Sequence, residues 1–345
     1  MKNVLLAFAF FSLLLPHSLL SQSLEEEIDE LKKELPNEYA LLGHDLFSAT
    51  VVAMQEKLRS ARSSDSPVLC NGRLTLSSGN PIANVSSSST VYFTPLDGNK
   101  IALYDGSAWR TLSFSETSVG VPATTSTPFD IFAYSNSGTL ALEAVSWTND
   151  TTRATALTTQ NGVWVKSGAT TRRYLGTGRT TTSSGTIEDS DSRRFLWNMY
   201  NRVPRKLLAY QTTSANWTYG TQAYRAANGS STVGATRVEY IIGMQTEPIS
   251  ITTFVPEVGG GNLYAAIGVG INSSTAISSE GYGSYAGGSY PAFYALYRNL
   301  PSLGYSYAQW IEYSQNPSGA STGFYTYYND ATYHLIAGIL GEIWS

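Results

Sequence analysis

Short runs of alternating apolar and polar residues, separated by Asn, Gly, Asp and Ser, fill most of the chain after residue 68. Alternation of this kind places neighbouring side chains on opposite faces of a strand, and the separating residues are those that form tight turns. The pattern is densest at residues 129–205, where Asn161-Gly162 lies between a Thr-rich run and Val-Trp-Val. Asn-Gly is the preferred dipeptide of a two-residue hairpin turn. The sequence therefore predicts a mainly β protein made of antiparallel strands.

The first 23 residues do not follow this pattern. A short basic start precedes an apolar run of about a dozen residues, and the small residues Ser21 and Ser23 follow. This order predicts a signal peptide that is cleaved near Ser23. The alternative is an uncleaved hydrophobic tip that docks into a virion partner or a membrane.

Residues 24–67 are predicted to form a short helical stem and a linker. Apolar residues recur there at spacings of three and four, although Pro36 interrupts the run. A helix this short is marginal alone in water, so we expect it to self-associate as a trimerisation stem. The alternative is a helical linker beside a monomeric body. The stem positions are Leu24, Ile28, Leu31, Leu35, Val51, Met54 and Leu58.

Three β segments are predicted to follow: a small domain at 68–128, a central domain at 129–228 and a C-terminal domain at 229–345. Two prolines in residues 121–128 indicate the first boundary. Strands are predicted at 90–95 and 249–255, and as a pair at 305–313 and 323–328. Several short antiparallel strands with irregular loops favour a jelly-roll-like sandwich for 229–345. The apolar ending, residues 335–344, would be an exposed edge unless a trimer covered it.

Composition narrows the possible partners and cofactors. Only 14% of residues are charged, while the chain has 23 Tyr and 7 Trp, which is typical of sheets, interfaces or glycan-facing surfaces. A net charge of -4 argues against a nucleic-acid partner. The single cysteine excludes an internal disulfide, and three scattered His with one Cys predict neither a metal site nor a cofactor.

Two groups of residues are candidates for ligand binding. Arg172, Arg173 and Arg194 belong to a local excess of arginine that surrounds an acidic stretch at residues 188–191. They would either bind an acidic glycan or lipopolysaccharide phosphate, or form ion pairs with that stretch or another subunit. Tyr282, Tyr285 and Tyr290 lie in a Gly/Tyr/Ser segment that is either a recognition loop or a flexible spacer.

Catalysis is not predicted. No Gly-x-Ser-x-Gly elbow and no phosphate-binding glycine loop is present. A glycosidase needs two carboxylates at a set separation, and nothing in the sequence selects a pair. The carboxylates considered are Asp130, Asp150, Glu188, Asp189, Asp191, Glu239, Glu312 and Asp330.

Four blocks in order carry a resemblance to a known family. They read Phe-Thr-Pro-Leu-Asp-Gly-Asn-Lys-Ile-Ala-Leu-Tyr-Asp-Gly at 93–106, Phe-Ala-Tyr-Ser-Asn-Ser-Gly at 132–138, Trp-Thr-Asn-Asp-Thr-Thr-Arg at 147–153 and Arg-Arg-Tyr-Leu-Gly-Thr, a turn, at 172–177. The chain resembles bacteriophage tail-fibre or head-fibre-like virion proteins, over about residues 69–344. It departs from their pattern at Phe93, Lys100 and Ser135, where the family has Tyr, Arg and Asp.

The resemblance implies a virion surface protein and no particular chemistry. With the stem, it implies a homotrimeric fibre that contacts other virion proteins through its N-terminal region. Weak sites on several chains would then engage a host-surface glycan together. Two alternatives stay open: a secreted adhesin or surface-layer component, and a decoration protein that binds no receptor.

Overall fold

The computed structural model describes residues 65–212, 216–259, 264–278, 280–281, 291–315, 321–326 and 336–345. The chain divides into two units, of which the second, Ser66–Ser345, is compact. The predicted signal peptide and all seven stem positions lie outside the described residues. The helical stem and the trimer it would form therefore stay predictions.

Strands dominate the described part of the chain, which contains one short 3-10 helix at Ala227–Gly229 and no α-helix. No helix in this part is long and apolar enough to cross a membrane. Up to residue 194 the strands are β1 (Gly72–Thr75), β2 (Val85–Ser88), β3 (Thr90–Pro95), β4 (Lys100–Tyr104), β5 (Trp109–Ser113), β6 (Thr117–Gly120), β7 (Pro128–Asn136), β8 (Thr139–Ser146), β9 (Leu157–Gln160), β10 (Val163–Lys166), β11 (Ala169–Arg179), β12 (Ile187–Asp189) and β13 (Arg193–Arg194). After it they are β14 (Leu196–Asn198), β15 (Pro204–Tyr210), β16 (Asn216–Tyr219), β17 (Arg225–Ala226), β18 (Arg237–Ile242), β19 (Ile249–Val255), β20 (Glu257–Gly259), β21 (Tyr264–Ile271), β22 (Glu280–Gly281), β23 (Phe293–Asn299), β24 (Gly304–Gln315), β25 (Thr322–Tyr325) and β26 (Gly338–Trp344).

The hairpin turns follow from residues that accept a left-handed backbone. Asn161 and Gly162 have φ values of 51° and 81° and join β9 to β10, as the sequence predicts. Ser137 and Gly138 do the same between β7 and β8, with φ values of 50° and 86°. Asn and Gly tolerate positive φ, which gives these turns the twist that matches paired strands.

Two sheets pack face to face in the C-terminal half of this unit. One has the order β15-β26-β19-β23-β22; the other has the order β17-β24-β18-β13-β12-β2, with β21 also on β24. Buried side chains from both sheets meet between them, including Leu207, Ile251 and Ile339 from the first and Tyr240 and Trp310 from the second. This arrangement of antiparallel sheets confirms the predicted mainly β, sandwich-like fold. The pairing of β13 with β18 is parallel.

A second core lies under the strands nearer the N-terminus. The sheet β8-β7-β11-β10-β9, with β14 on β11, packs with the three-stranded sheet β1-β3-β6. Leu74 and Phe93 from the small sheet belong to the same buried cluster as Phe129, Ile131 and Leu175 from the larger one.

The segments predicted as three separate β domains share sheets in the structure. β2 pairs with β12, where Ile187 lies opposite Ser88, and β15 pairs with β26, where Leu208 lies opposite Leu340. Both predicted boundaries, near residues 128 and 228, are thus crossed by backbone hydrogen bonds. Turn residues alone do not show which distant strands will pair.

Three local predictions differ from the structure. The segments at 305–313 and 323–328 are not partners: β24 pairs with β17, β18 and β21, while β25 pairs with β16 and β20. Residues 172–177 lie within strand β11 and do not form a turn. The apolar ending is not a sheet edge, because β26 lies between β15 and β19. Its backbone is therefore paired on both sides within one chain.

Candidate functional site

Arg194 is held inside the protein by its own chain. Its side chain is 2% exposed and pairs with Asp189 at 3.3 Å and with Asp191 at 2.8 Å. It also donates hydrogen bonds to Asn84 Oδ1 at 2.7 Å and to the carbonyl oxygen of Lys206 at 2.9 Å. The sequence left two hypotheses for Arg194, binding of an acidic ligand and ion pairing. In this structure Arg194 forms ion pairs with the acidic stretch at residues 188–191.

Asp189 lies at the centre of this buried network. Its two oxygens contact Arg194 and Arg205, each at 3.3 Å. Burial raises the pKa of Asp189, while the charges of Arg205 and Arg194 act in the opposite direction. The network joins β12, β13 and β15, so its role is to hold the sandwich together.

Arg173, on β11, binds the backbone of residues 67–69 through hydrogen bonds. Its Nη1 donates to the carbonyl oxygens of Pro67, Leu69 and Ala102, at 2.9, 2.9 and 2.7 Å. Its guanidinium group also lies 4.5 Å from the ring centroid of Tyr200. These contacts use the side chain within the protein, where it is buried.

Arg172 lies at the surface beside an aromatic ring. Its guanidinium carbon is 3.7 Å from the ring centroid of Tyr134, and its Nε donates to Glu143 at 2.9 Å. Lys166 pairs with the same carboxylate. Partial burial acts to raise the pKa of Glu143, but the hydrogen bonds from Lys166 and Arg172 outweigh it and lower that pKa. Two cations share one anion here, which leaves a small positive surface.

The remaining candidates divide between paired carboxylates and residues outside the described chain. Tyr282, Tyr285, Tyr290 and Asp330 lie outside it, and their predicted roles stay predictions. Each described carboxylate considered for catalysis pairs with a basic side chain: Asp130 with Arg153, Asp150 with Arg179, Glu188 and Glu239 with Arg193, Asp189 with Arg194, Asp191 with Lys206, and Glu312 with Arg225.

An exposed and largely apolar surface lies on the outward side of the strands β15, β26, β19 and β23. We call it the open face. The register of the strands arranges its side chains in three rows across the sheet. They are Tyr210, Gly338, Phe254 and Tyr294; Leu208, Leu340, Thr252 and Leu296; and Lys206, Glu342, Ser250 and Arg298, with Trp344 beyond the third row.

Several large apolar side chains on the open face are largely uncovered. Tyr294 is 66% exposed, Leu296 and Leu340 are each 48% exposed, and Trp344 is 43% exposed. From strand spacing and rise, the face measures roughly 20 Å by 20 Å. Its apolar part, which excludes the charged third row, is on the order of 300 Å², a size that commonly marks a binding surface on a soluble protein.

Among the residues of β15, β26, β19 and β23 in these rows, the charged side chains lie at one end of the open face. The third row brings Lys206, Glu342 and Arg298 to one side, and the first two rows are apolar or aromatic apart from Thr252. Next to the third row, a shallow depression of about 480 Å³ is lined by Glu247, Pro248, Ser250, Arg298, Glu342 and Trp344. It combines an indole ring with two carboxylates and a guanidinium group.

The sequence contains a signal for this surface. A strand that covers a core on one side alternates apolar and polar residues, but β23 and β26 carry apolar residues at both parities. In β23 the buried Phe293 and Ala295 alternate with the exposed Tyr294 and Leu296. Apolar residues at both parities would also fit a strand that is buried on both sides. The packing of the sandwich shows that only one side of this sheet is covered.

No family model and no curated protein matches this sequence. Among solved structures, the chain is similar to one of infectious bursal disease virus Gx strain, with 11% identity over 81% of this chain and 77% of that chain, at a TM-score of 0.25. It is similar to one of carbohydrate-binding modules from the beta-sandwich superfamily, with 12% identity over 76% and 96%, at a TM-score of 0.18.

A third similar structure is a calcium-binding mutant of Bacteroides uniformis beta-glucuronidase 2. It shows 10% identity over 70% of this chain at a TM-score of 0.18, and this chain covers only 28% of that enzyme. The three TM-scores are low, so a function for this chain has to be argued from its own geometry.

Proposed function

We propose that this chain is a structural protein of a virion surface, and that its open face binds a neighbouring protein in the assembled particle. The exposed set of Tyr294, Leu296, Leu340 and Trp344 carries the assembly part of this proposal. The four sequence blocks that resemble fibre-like virion proteins support the part of the proposal that places the chain in a virion. The predicted stem would add a trimeric contact at the N-terminal end.

The hydrophobic effect supplies the reason to expect a partner on this face. Burying apolar surface is favourable by roughly 25 cal/mol per Å², so covering an apolar area on the order of 300 Å² yields about 7.5 kcal/mol before the entropic cost of association. In a chain with only 14% charged residues, a bare patch of this size also favours aggregation. A partner that covers the patch removes its apolar surface from water and prevents this aggregation.

Placing a lysine on the open face tests the assembly. Leu296→Lys and Leu340→Lys should each prevent association of the full chain, measured by light scattering coupled to size exclusion, because an ammonium group would be buried without a partner. Val68→Lys is the matched control, since Val68 is 73% exposed and its carbonyl oxygen contacts Arg173, which belongs to a different sheet. If the face variants associate as the wild type does, the open face is not an assembly surface.

The intact mass of the native chain, from purified particles and from cell-free supernatant, tests the location. The proposal expects the chain in particles. A chain that starts near Leu24 and occurs only free of particles would favour the secreted adhesin instead.

A second candidate function is attachment to a glycan at the depression beside Trp344. The observation that favours it is the combination of an exposed indole with Arg298 and Glu342, because sugars pack on aromatic faces and accept or donate hydrogen bonds around them. Trp344→Ala should abolish binding on a glycan array, whereas Tyr264→Ala, at another exposed aromatic residue, should not. Equal binding by both variants would remove this candidate.

A further inference from the structure

We propose that the partner at the open face is a second copy of this chain, related by a two-fold axis that runs along β19. This inference rests on the proposed function in one respect, that the open face is an association surface. It adds the identity of the partner and the pairs of residues that meet.

The strand order makes β19 the natural centre of such a dimer. β26 and β23 flank β19 on its two sides, one strand spacing of about 4.8 Å away. A two-fold rotation about an axis parallel to β19, in the plane between two stacked sheets, places β26 of one copy opposite β23 of the other. The same rotation keeps each cross-strand row opposite its own equivalent.

The charged row then becomes complementary to itself. Glu342 on β26 and Arg298 on β23 occupy the same row, with Ser250 between them. Within one chain their backbones lie two strand spacings, or about 10 Å, apart. Across the two-fold axis, Glu342 of one copy faces Arg298 of the other, and the pair occurs twice. Opposite charges at equivalent heights are what an isologous interface requires.

The apolar rows also match. Leu340 on β26 faces Leu296 on β23 of the second copy, again twice, because both lie in the second row. Phe254 and Thr252 lie on β19 and therefore face their own equivalents across the axis. Two sheets that stack about 10 Å apart, at the usual angle near -30°, interdigitate side chains of this size.

The other in-plane axis, across the strands, gives a poorer interface. It would put the row with Lys206, Glu342 and Arg298 opposite the row with Phe254 and Tyr294. The charges of Glu342 and Arg298 would lose water without gaining an opposite charge across the interface, which is unfavourable. The chemistry of the two rows therefore selects the axis along β19.

A sugar is a poorer occupant of the centre of this face than a protein. Leu208, Leu296 and Leu340 have no hydrogen-bonding groups, and they form most of the second row. A sugar ring placed there would leave its hydroxyl groups without partners. A second sheet of the same composition would place apolar side chains against these leucines and leave no hydroxyl group without a partner.

Charge exchange at one pair of positions tests the dimer. In full-length protein, Arg298→Glu should place two negative charges opposite each other across the interface, at position 298 of one copy and Glu342 of the other. Glu342→Arg should likewise place two positive charges opposite each other. Each variant should have half the wild-type mass by light scattering, from two copies to one or, where the stem forms trimers, from six to three. The double variant carrying both changes should recover the wild-type mass, while Lys100→Glu, an exposed site away from this face, should not change it.

Mixing the two single variants gives a second test. In a mixed dimer, the unchanged Glu342 of the first variant faces the unchanged Arg298 of the second, and the two substituted positions also carry opposite charges. Mixing should therefore restore the wild-type mass, although each variant alone does not associate. Circular dichroism of each variant checks that it remains folded.

Two outcomes would overturn the dimer. One is wild-type mass for both single variants; the other is loss of association that neither the double variant nor mixing restores. If Leu296→Lys blocks assembly in either case, the open face still binds a partner, and that partner is not a second copy in this arrangement. If the lysine variants also have no effect, the proposed function fails with the dimer.

Discussion

Trp217 donates a hydrogen bond of 2.6 Å from its indole nitrogen to the carboxylate of Glu312. Glu312 has no exposed surface, and its other oxygen accepts from Arg225 Nε at 2.7 Å. Burial raises the pKa of Glu312, while the Trp217 hydrogen bond and Arg225 oppose the rise. Trp217 lies on β16 and Glu312 on β24, so this contact joins the three-stranded sheet β16-β25-β20 to the sandwich.

Removing this carboxylate should be strongly destabilising. Glu312→Ala leaves the Arg225 charge and the Trp217 N–H without their partner, and we expect a loss of about 3 to 5 kcal/mol in the free energy of unfolding by urea. Glu312→Gln should lose less, because an amide oxygen can still accept from Trp217. Equal losses for Gln and Ala would show that the hydrogen bond to Trp217 contributes nothing beyond the charge.

Gly304 should tolerate substitution far less than another glycine with the same backbone conformation. Gly304 has φ +89°, and a Cβ atom there would lie 2.0 Å from the carbonyl oxygen of Asp150. Gly138 has φ +86°, and a Cβ atom would meet nothing within 4 Å.

We expect Gly138→Ala to cost about 1 to 2 kcal/mol, from the left-handed backbone alone. Gly304→Ala should cost roughly 3 to 5 kcal/mol, because a steric clash is added to the same strain. Thermal or urea unfolding of both variants checks the difference. Similar losses would mean that the loop at Asp150 moves away at little cost.

Asp105 should make the stability of the β4–β5 hairpin depend on pH. Burial acts to raise its pKa, but the N–H groups of Ala108 and Ser107, the Ser107 hydroxyl and Arg110 together outweigh it and lower that pKa well below its ordinary value. The folded state therefore binds a proton less readily than the unfolded state. The resulting stability is complete above the ordinary pKa near 4 and is lost as pH falls through the folded-state pKa.

Asp105→Asn removes this dependence while keeping an oxygen that accepts from the turn. The variant should unfold at lower urea concentration than the wild type at pH 7, and the two midpoints should converge at acid pH. A gap that stays constant from pH 7 to acid would show that the Asp105 charge is not the cause.

Cys70 should react slowly in the folded protein. Burial raises the pKa of its thiol to about 11, and the charge of Arg173 opposes the rise only in part. Alkylation requires the thiolate and access to it, so iodoacetamide at pH 8 should label native protein at least about tenfold more slowly than urea-unfolded protein. Equal rates in the two states would mean that Cys70 is accessible in the folded state.

The local features of this fold follow from the sequence, whereas its long-range pairings do not. The turn at Asn161-Gly162 and the strands Thr90–Pro95 and Ile249–Val255 occur as predicted, because a two-residue period and a preferred turn dipeptide act between neighbours. The pairing of β15 with β26 depends on residues more than one hundred positions apart, as in Leu208 and Leu340. No local pattern specifies such a pair.

The candidate site shows the same limit. Arg173 and Arg194 have the composition of an anion site, but their partners are backbone carbonyls and carboxylates brought to them by folding. The open face depends on which side of the sheet the rest of the chain covers. The sequence shows apolar residues at both parities of β23 and β26, but it does not show that half of them are exposed.

The place of β26 between β15 and β19 also determines when this sheet can form. Strand β26 is synthesised long after β15 and β19, and until it leaves the ribosome, these two strands lack the strand that joins them. During synthesis β15 therefore lacks its partner in this sheet and one edge of β19 is open, which is a state prone to intermolecular pairing. This sheet is completed only after β26 has been synthesised, and bringing β26 to β15 closes a very long loop, which slows folding. Removal of residues 338–344 would leave β15 without its partner and split the sheet into two parts.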